Sequence, residues 1–185
     1  MTDDAVVAAA KRGDQDAWRA LYQQHAGRLV AWLETRSGAD GAIAAEDVAG
    51  QAWLTAAEKV ADYDGDSDDF GAWLFGIARR IAANARRRSG RRRTDPVAEA
   101  PEATQQIPTG LEDVVPDSAW VRELLAGLSP RERDVVACVD VVGLTVTDAA
   151  KALGMTPVAV RVARHRALRR LRRDTRLSLL SVTAP

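Results

Sequence analysis

Two stretches of this chain place cationic side chains where they can grip a polyanion and read it. The first, Phe70-Gly-Ala-Trp-Leu-Phe-Gly-Ile-Ala-Arg-Arg-Ile-Ala-Ala-Asn-Ala-Arg-Arg-Arg88, sets aromatics immediately before a run of arginines. Rings that stack on unpaired bases and guanidinium groups that track phosphates are the chemistry of single-strand binding. Helical spacing also lets Trp73, Ile77 and Ile81 share one face, so for Trp73 a core stripe and a stacking surface stand as equal alternatives. In the second stretch Arg161, His165 and Arg169 form an i, i+4 row, with Val158, Val162, Arg164 and Arg166 beside it. Arginine can take guanine O6 and N7 in a bidentate pair and valine can touch a thymine methyl, so this surface can specify as well as adhere. Arg169, Arg170, Arg172 and Arg173 suit phosphate contacts that position without reading.

Bond-making chemistry has no comparable support. The only cysteine is Cys138 and the only histidines are His25 and His165, which excludes an internal disulfide and a thiolate metal cluster, and no motif suggests a Ser/His/Asp or Cys/His arrangement. Asp64, Asp66 and Asp68 are spaced like the opening of a calcium loop, but the glycine and distal glutamate of an EF-hand are missing. The expectation is no metal, no cofactor and no catalytic residue, with Cys138 a small buried apolar side chain.

The elements that must position these side chains read as helices throughout. Gly13 ends a short first helix, and Asp14 can cap a second that runs through Trp18, Leu21, Tyr22, Leu29, Trp32 and Leu33. After a break at Ser37 to Ala42, Ala45 to Ala61 offers Val48, Ala52, Trp53 and Ala56 as one buried stripe. The acids of Asp62 to Asp69 suit the positive end of the helix that follows. Further on, Ser129-Pro-Arg-Glu132 is a capping box with proline at the first helical position, opening a helix that ends near Gly143. Thr145-Val-Thr-Asp148 opens a second helix that stops at Gly154, and Thr156-Pro157 starts a third that continues to about Arg173. Short helix, three-residue turn with glycine and longer basic helix is the form of a helix-turn-helix. On the last helix Val160, Ala167, Leu168 and Leu171 form the side that packs inward. Only Val135 to Val142 is β-branched enough to suggest a strand, and its capped start argues for helix.

From Ser89 to Pro116 the periodicity fails, with four of the seven prolines, which marks a linker. The expected organisation is all-α: a helical domain over residues 1–93, a flexible acidic linker over 94–116, a helix-turn-helix domain over 117–176 and a tail over 177–185. The formal net charge of zero conceals segregation. Residues 1–69 hold 6 basic against 14 acidic side chains and residues 70–93 hold 8 arginines and no acid; residues 94–130 hold 1 against 7, and residues 131–185 hold 11 against 5. The two basic blocks coincide with the two stretches described first, which favours nucleic acid as the partner. No apolar run approaches the roughly 18 to 20 residues of a membrane span, and Met1 to Asp4 lacks the cationic and apolar regions of a signal peptide. A cytoplasmic protein without membrane insertion is expected.

Taken in order, these motifs resemble a bacterial sigma factor of the sigma-70 family, in the compact extracytoplasmic-function (ECF, group 4) type that has only regions 2 and 4 joined by a linker. Glu46-Asp47-Val48-Ala49-Gly50-Gln51-Ala52-Trp53-Leu54 is similar to region 2.2, Phe70 to Arg88 to regions 2.3 and 2.4, and Leu128 to Val135 with Gly143 to Arg172 to region 4. The resemblance implies an alternative sigma factor that binds core RNA polymerase, recognises −10 and −35 promoter elements, promotes melting and directs transcription initiation, with no catalytic activity of its own. It implies core-polymerase contacts, on the β′ clamp helices, from Glu46, Asp47, Gly50, Gln51, Trp53 and Leu54. It implies −10 contacts from Phe70, Trp73, Arg79, Arg80, Asn84, Arg87 and Arg88, and −35 contacts from Arg133, Thr145, Thr156, Val158, Arg161, Val162, His165 and Arg166. The implied partners are core polymerase, including its β flap, promoter DNA and an anti-sigma factor. The chain departs from the common pattern at Gly50, Gln51, Trp53, Arg80, Asn84, Val162 and Ala163. The competing reading is a helix-turn-helix regulator that binds an operator without core polymerase, which has no use for the aromatic and basic stretch at 70–88.

Overall fold

Several helices in this chain begin where a short polar side chain can close the first turn. Asp14 Oδ1 accepts the backbone N–H groups of Asp16 and Ala17, each at 2.9 Å. Ser129 and Glu132 form a complete capping box, and Thr145 Oγ1 accepts the Asp148 N–H at 3.1 Å. Such caps each contribute about 1 kcal/mol to the helix they start. The structure, a computed structural model, describes residues 3–36, 44–92 and 118–182. Its helices are α1 (Asp3–Lys11), α2 (Gln15–Arg36), α3 (Ala45–Lys59), α4 (Ser67–Arg92), α5 (Ser118–Ala126), α6 (Pro130–Val136), α7 (Val146–Leu153) and α8 (Pro157–Val182), and no strand occurs among the described residues.

Three boundaries differ from the sequence expectation. Helix α4 runs through Ser89 and Gly90 to Arg92, because a serine and a glycine cost only about 1 kcal/mol or less each in a helix interior. Helix α8 continues past Arg173 to Val182, over a segment with neither glycine nor proline. Helix α5 was not anticipated as an element, although Val121, Leu125 and Leu128 recur at helical spacing and are buried. The β-branched stretch is helical: α6 passes into a wide turn over Ala137–Val141, where Val142 N–H reaches Ala137 O at 2.9 Å, and Gly143 at φ +75° ends it. The break at 37–42 and the linker 94–116 lie outside the described residues.

Helices α1 to α4 enclose Leu21, Leu29, Trp32, Phe70, Leu74 and Phe75, and helices α5 to α8 enclose Leu125, Val135, Cys138 and Val160. These two lobes share one continuous apolar core. Helix α7 lies along α4, and α5 rests on α2. Polar groups fix the seam: Arg28 Nε donates to Val142 O at 3.0 Å, Arg36 is ion-paired with Asp134 with its guanidinium 4.7 Å over the Trp32 ring, and Lys151 pairs with Asp69. A side chain at Gly76 would meet Ala152 O at 3.8 Å, which places the middle of α4 directly against α7. No described helix is long and apolar enough to cross a membrane.

Candidate nucleic-acid interface

Helix α4 is buried along most of its circumference, so its register decides which side chains reach solvent. At 3.6 residues per turn Trp73, Arg80, Asn84 and Arg87 fall on one stripe. Arg80, Asn84, Arg87 and Arg88 are exposed, while Trp73 is half-buried with its ring 4.6 Å from Tyr63 and 5.5 Å from Phe70. Arg87 donates to Asn84 Oδ1, which holds the two heads together on that stripe. A cavity of about 280 Å³ opens beside it, lined by Tyr63, Asp69, Trp73, Arg80 and Lys151 among others.

Two members of the sequence-derived set sit elsewhere. Phe70 is 0% exposed and rings from Trp18, His25, Trp53, Tyr63 and Trp73 surround it at centroid distances of 5.5 to 6.4 Å. In this conformation it is the centre of an aromatic core and presents no face to a base. Arg79 is half-buried and points to the α7 side, where its Nη1 lies 3.7 Å from the position of a Cβ on Gly154.

The helix-turn-helix is built from α7, a turn and α8. Gly154 takes φ +63° at the end of α7, a conformation that costs a glycine little, and Met155 N–H returns to Ala150 O at 2.9 Å. Thr156 Oγ1 then accepts Ala159 N–H at 3.2 Å to start α8. Val160, Ala163 and Ala167 are buried against the other helices, with Leu168 and Leu171 half-buried. The opposite face carries Val158 at 65% and Val162 at 43% exposure among exposed Arg161, His165, Arg166 and Arg169. Both valines stand open to solvent.

Several polar residues expected on this surface carry structure. Arg133 donates to the carbonyls of Leu125, Ala126 and Leu128 at 3.2 to 3.4 Å and so finishes α5. Thr145 and Thr156 spend their hydroxyl groups on the caps of α7 and α8. Arg164 makes a forked contact with Asp140, its Nε 3.1 and 3.0 Å from the two carboxylate oxygens, which ties α8 to the wide turn; this half-exposed pair contributes at most about 1 kcal/mol. A cleft of about 240 Å³ between Glu132 and Arg166, Arg169, Arg170 and Arg173 is strongly cationic.

Helix α3 shows a third surface. Asp47, Gln51, Leu54 and Glu58 follow one another at i, i+4, i+7 and i+11 and all are exposed, Leu54 by 61%. Glu46 is exposed beside them and Gly50 is partly open. Glu58 belongs to this stripe by its spacing, although the sequence motif ended before it. Trp53 faces inward instead, half-buried with its ring 5.1 Å from Tyr22 and 6.2 Å from Phe70.

Behind these faces His25 is buried against Phe70, and a Cβ on Gly71 would come within 2.9 Å of its Cε1, so glycine at 71 is what lets the imidazole lie against α4. Burial, with a smaller contribution from the Arg28 charge, lowers its pKa to about 4. The unfolded chain, with histidine near 6.5, therefore binds the proton first as pH falls. Stability conferred by the neutral ring is complete above pH 6.5 and is lost as pH falls from 6.5 to 4, by about 3 kcal/mol for a shift of this size. Urea midpoints at pH 7.5 and pH 5 should show the larger part of this loss, about 2 kcal/mol, in the native protein and a much smaller one in His25→Leu. Cys138 is fully buried, and desolvation together with the Asp134 carboxylate pushes its thiol far up, so it stays protonated and inert. No group of three or more His, Cys, Asp or Glu suited to a metal ion occurs among the described residues.

Comparison with known proteins gives a consistent picture. Residues 21–92 match the family Sigma-70 region 2, and residues 118–171 match Sigma-70, region 4. The ECF RNA polymerase sigma factor SigD of Mycobacterium tuberculosis (strain ATCC 25618 / H37Rv) is 34% identical over 173 residues, covering 91% of this chain and 82% of SigD. The ECF RNA polymerase sigma factor BldN of Streptomyces coelicolor is 29% identical over 171 residues, covering 91% of this chain and 64% of BldN. Among solved structures, CnrH in complex with the cytosolic domain of CnrY overlays with a TM-score of 0.67 at 23% identity, covering 98% of this chain and 99% of CnrH. RpoE in complex with the anti-sigma factor NepR from Bartonella quintana overlays with a TM-score of 0.63 at 22% identity, covering 92% and 99% of the two chains. The likeness in fold thus extends over both lobes.

Proposed function

This chain belongs to the extracytoplasmic-function sigma factors of the sigma-70 family and directs transcription initiation as an alternative sigma factor, and from that premise we propose how its three surfaces divide the work. The α3 stripe with Leu54 at its centre docks on the β′ clamp helices of core RNA polymerase. The α4 stripe of Trp73, Arg80, Asn84, Arg87 and Arg88 captures the opened −10 strand. The exposed face of α8, with Val158, Arg161, Val162, His165 and Arg166, reads the −35 duplex. Residues 1–93 and 117–176 are the two functional domains and 94–116 joins them.

The observation that carries this reading is the separation of two basic faces of different construction. The face on α4 adjoins aromatic rings and suits unstacked bases, whereas the face on α8 pairs arginine with open valines and suits the edges of paired ones. Melting then follows from differential binding: a protein that holds unpaired bases favours the open duplex by as much as its preference for them. The chain acts as a non-catalytic factor alongside core polymerase and promoter DNA in the cytoplasm. An anti-sigma factor that covers the same faces is its expected regulator, as NepR is a partner of RpoE in the solved complex.

Leu54→Glu tests the docking surface. The side chain is 61% exposed, so the fold should be unchanged by circular dichroism. Burying a leucine in an interface is worth about 1.5 to 3 kcal/mol, so affinity for purified core polymerase should fall at least about tenfold in a fluorescence titration. Unchanged affinity would remove α3 from the interface.

A further inference from the structure

Helix α8 has to present its recognition side chains at one angle about its own axis, and its buried side does little to set that angle. The stripe that packs inward is Val160, Ala163 and Ala167, with Leu168 and Leu171 half-buried. Methyl-sized side chains raise only shallow ridges, so a helix seated on alanines can roll with little loss of contact. The consequence for reading bases is large. A roll of about 20° carries a side-chain tip roughly 5 to 6 Å from the helix axis through about 2 Å, well beyond the spread of about 0.5 Å that hydrogen-bond lengths allow.

Two acids of the neighbouring element hold α8 against such a roll. Asp140, in the wide turn after α6, takes the fork of Arg164, whose Nε lies 3.1 and 3.0 Å from its two carboxylate oxygens. Glu132, in the first turn of α6, accepts Arg170 Nη1 on its Oε2 at 3.1 Å. That oxygen is itself fixed, because the Ser129 N–H and hydroxyl both donate to it, at 3.1 and 2.7 Å. Arg164 and Arg170 are six residues apart, which at 3.6 residues per turn sets them about 120° apart, one on either flank of the Val160 and Ala167 stripe. A pull on both flanks opposes rotation in either direction. Resting on the reading of α8 as the −35 helix, we propose that Asp140 and Glu132 are positioning residues for promoter recognition: together they clamp the roll of α8 and so set which of its side chains meet the bases. The acids act through α8 and not on the DNA, and the Asp140 pair draws Arg164 out of the reading face.

The test uses the full chain with core polymerase in run-off transcription on two templates, one with a matched −35 element and one with that element altered, and reads the ratio between them. Glu132→Gln keeps the capping box, because glutamine can return the bond to the Ser129 N–H. Combined with Asp140→Ala it should lower the ratio at least about tenfold, the worth of one bidentate base contact carried out of reach, with Tm and affinity for core polymerase near wild type. Asp140→Ala and Arg164→Ala should each lower the ratio by a similar factor, and the two together by no more than either alone, because they remove one and the same contact. An unchanged ratio, an equal loss on both templates, or losses that multiply in the Asp140 and Arg164 double variant would overturn the clamp. A wild-type chain that initiates equally on both templates would instead overturn the assignment of α8 to the −35 element, and the clamp with it.

Discussion

Arg161→Ala combined with His165→Ala should lower initiation from a promoter that depends on its −35 element by about 100-fold, while leaving the affinity for core polymerase and the thermal stability unchanged. The magnitude follows from the face of α8. A bidentate arginine–guanine pair is worth about 1 to 3 kcal/mol of discrimination, and a second polar contact adds to it, so a loss near 3 kcal/mol is a factor of roughly 100. Both side chains are exposed and the buried stripe of Val160, Ala163 and Ala167 is untouched, which is why the fold should not register the change. The phosphate-type arginines should behave differently. Arg173→Ala should weaken binding by a similar factor on every sequence and reduce the salt slope by about one, because it releases one counterion fewer. Run-off transcription on matched and mismatched −35 templates at two salt concentrations separates the two behaviours. An equal loss on all templates after the Arg161 and His165 changes would assign those residues to phosphate instead.

Phe70→Ala should cost the protein about 3 to 5 kcal/mol of stability, which at this chain length is a fall of about 10 °C or more in Tm. Phe70 is fully enclosed, and both Trp53 under the proposed docking stripe of α3 and Trp73 on the proposed −10 stripe of α4 rest on its ring. The cavity left behind would therefore loosen two functional faces at once, and loss of core binding should accompany loss of melting. A residue that stacked on a flipped base would show the opposite pattern, with initiation impaired and stability intact. Urea and thermal unfolding of Phe70→Ala beside wild type decide the matter, and an unchanged Tm would return Phe70 to the DNA face.

Phe70 also shows where sequence reasoning stops. An apolar residue before a basic run is compatible with stacking and with core packing, and on a helix buried along most of its circumference the 3.6-residue period does not select a single inward stripe. What could be read directly were the local features whose physics is complete within a few residues. The Ser129 box, the Thr145 and Thr156 caps, the Asp14 cap and the turn at Gly154 all stand where their side chains and φ angles require. The segregation of charge was legible too, since no acid interrupts the arginines at 79–93 or those at 161–173, and Arg164 finds Asp140 only across a turn. Hidden were the contacts between residues far apart in the chain. Arg28 meets Val142, Arg36 meets Asp134 and Lys151 meets Asp69, and neither partner of any pair carries a local sign of the other. Arg133 shows a related limit: it is a basic residue in the right lobe, and only the fold shows that its Nε and Nη2 tie down the end of α5.

Site-specific photo-cross-linking in the reconstituted holoenzyme tests the assignment of faces most directly. A photoreactive amino acid is placed at Asn84 on α4 or at Val158 on α8, both exposed, and the labelled protein is mixed with core polymerase and a promoter fragment mapped at nucleotide resolution. The account predicts cross-links from position 84 to the unpaired strand around −10 and from position 158 to the duplex around −35, both dependent on core polymerase. Cross-links from the two positions to the same short stretch of duplex, formed equally well without core polymerase, would contradict it and describe an operator-binding regulator instead.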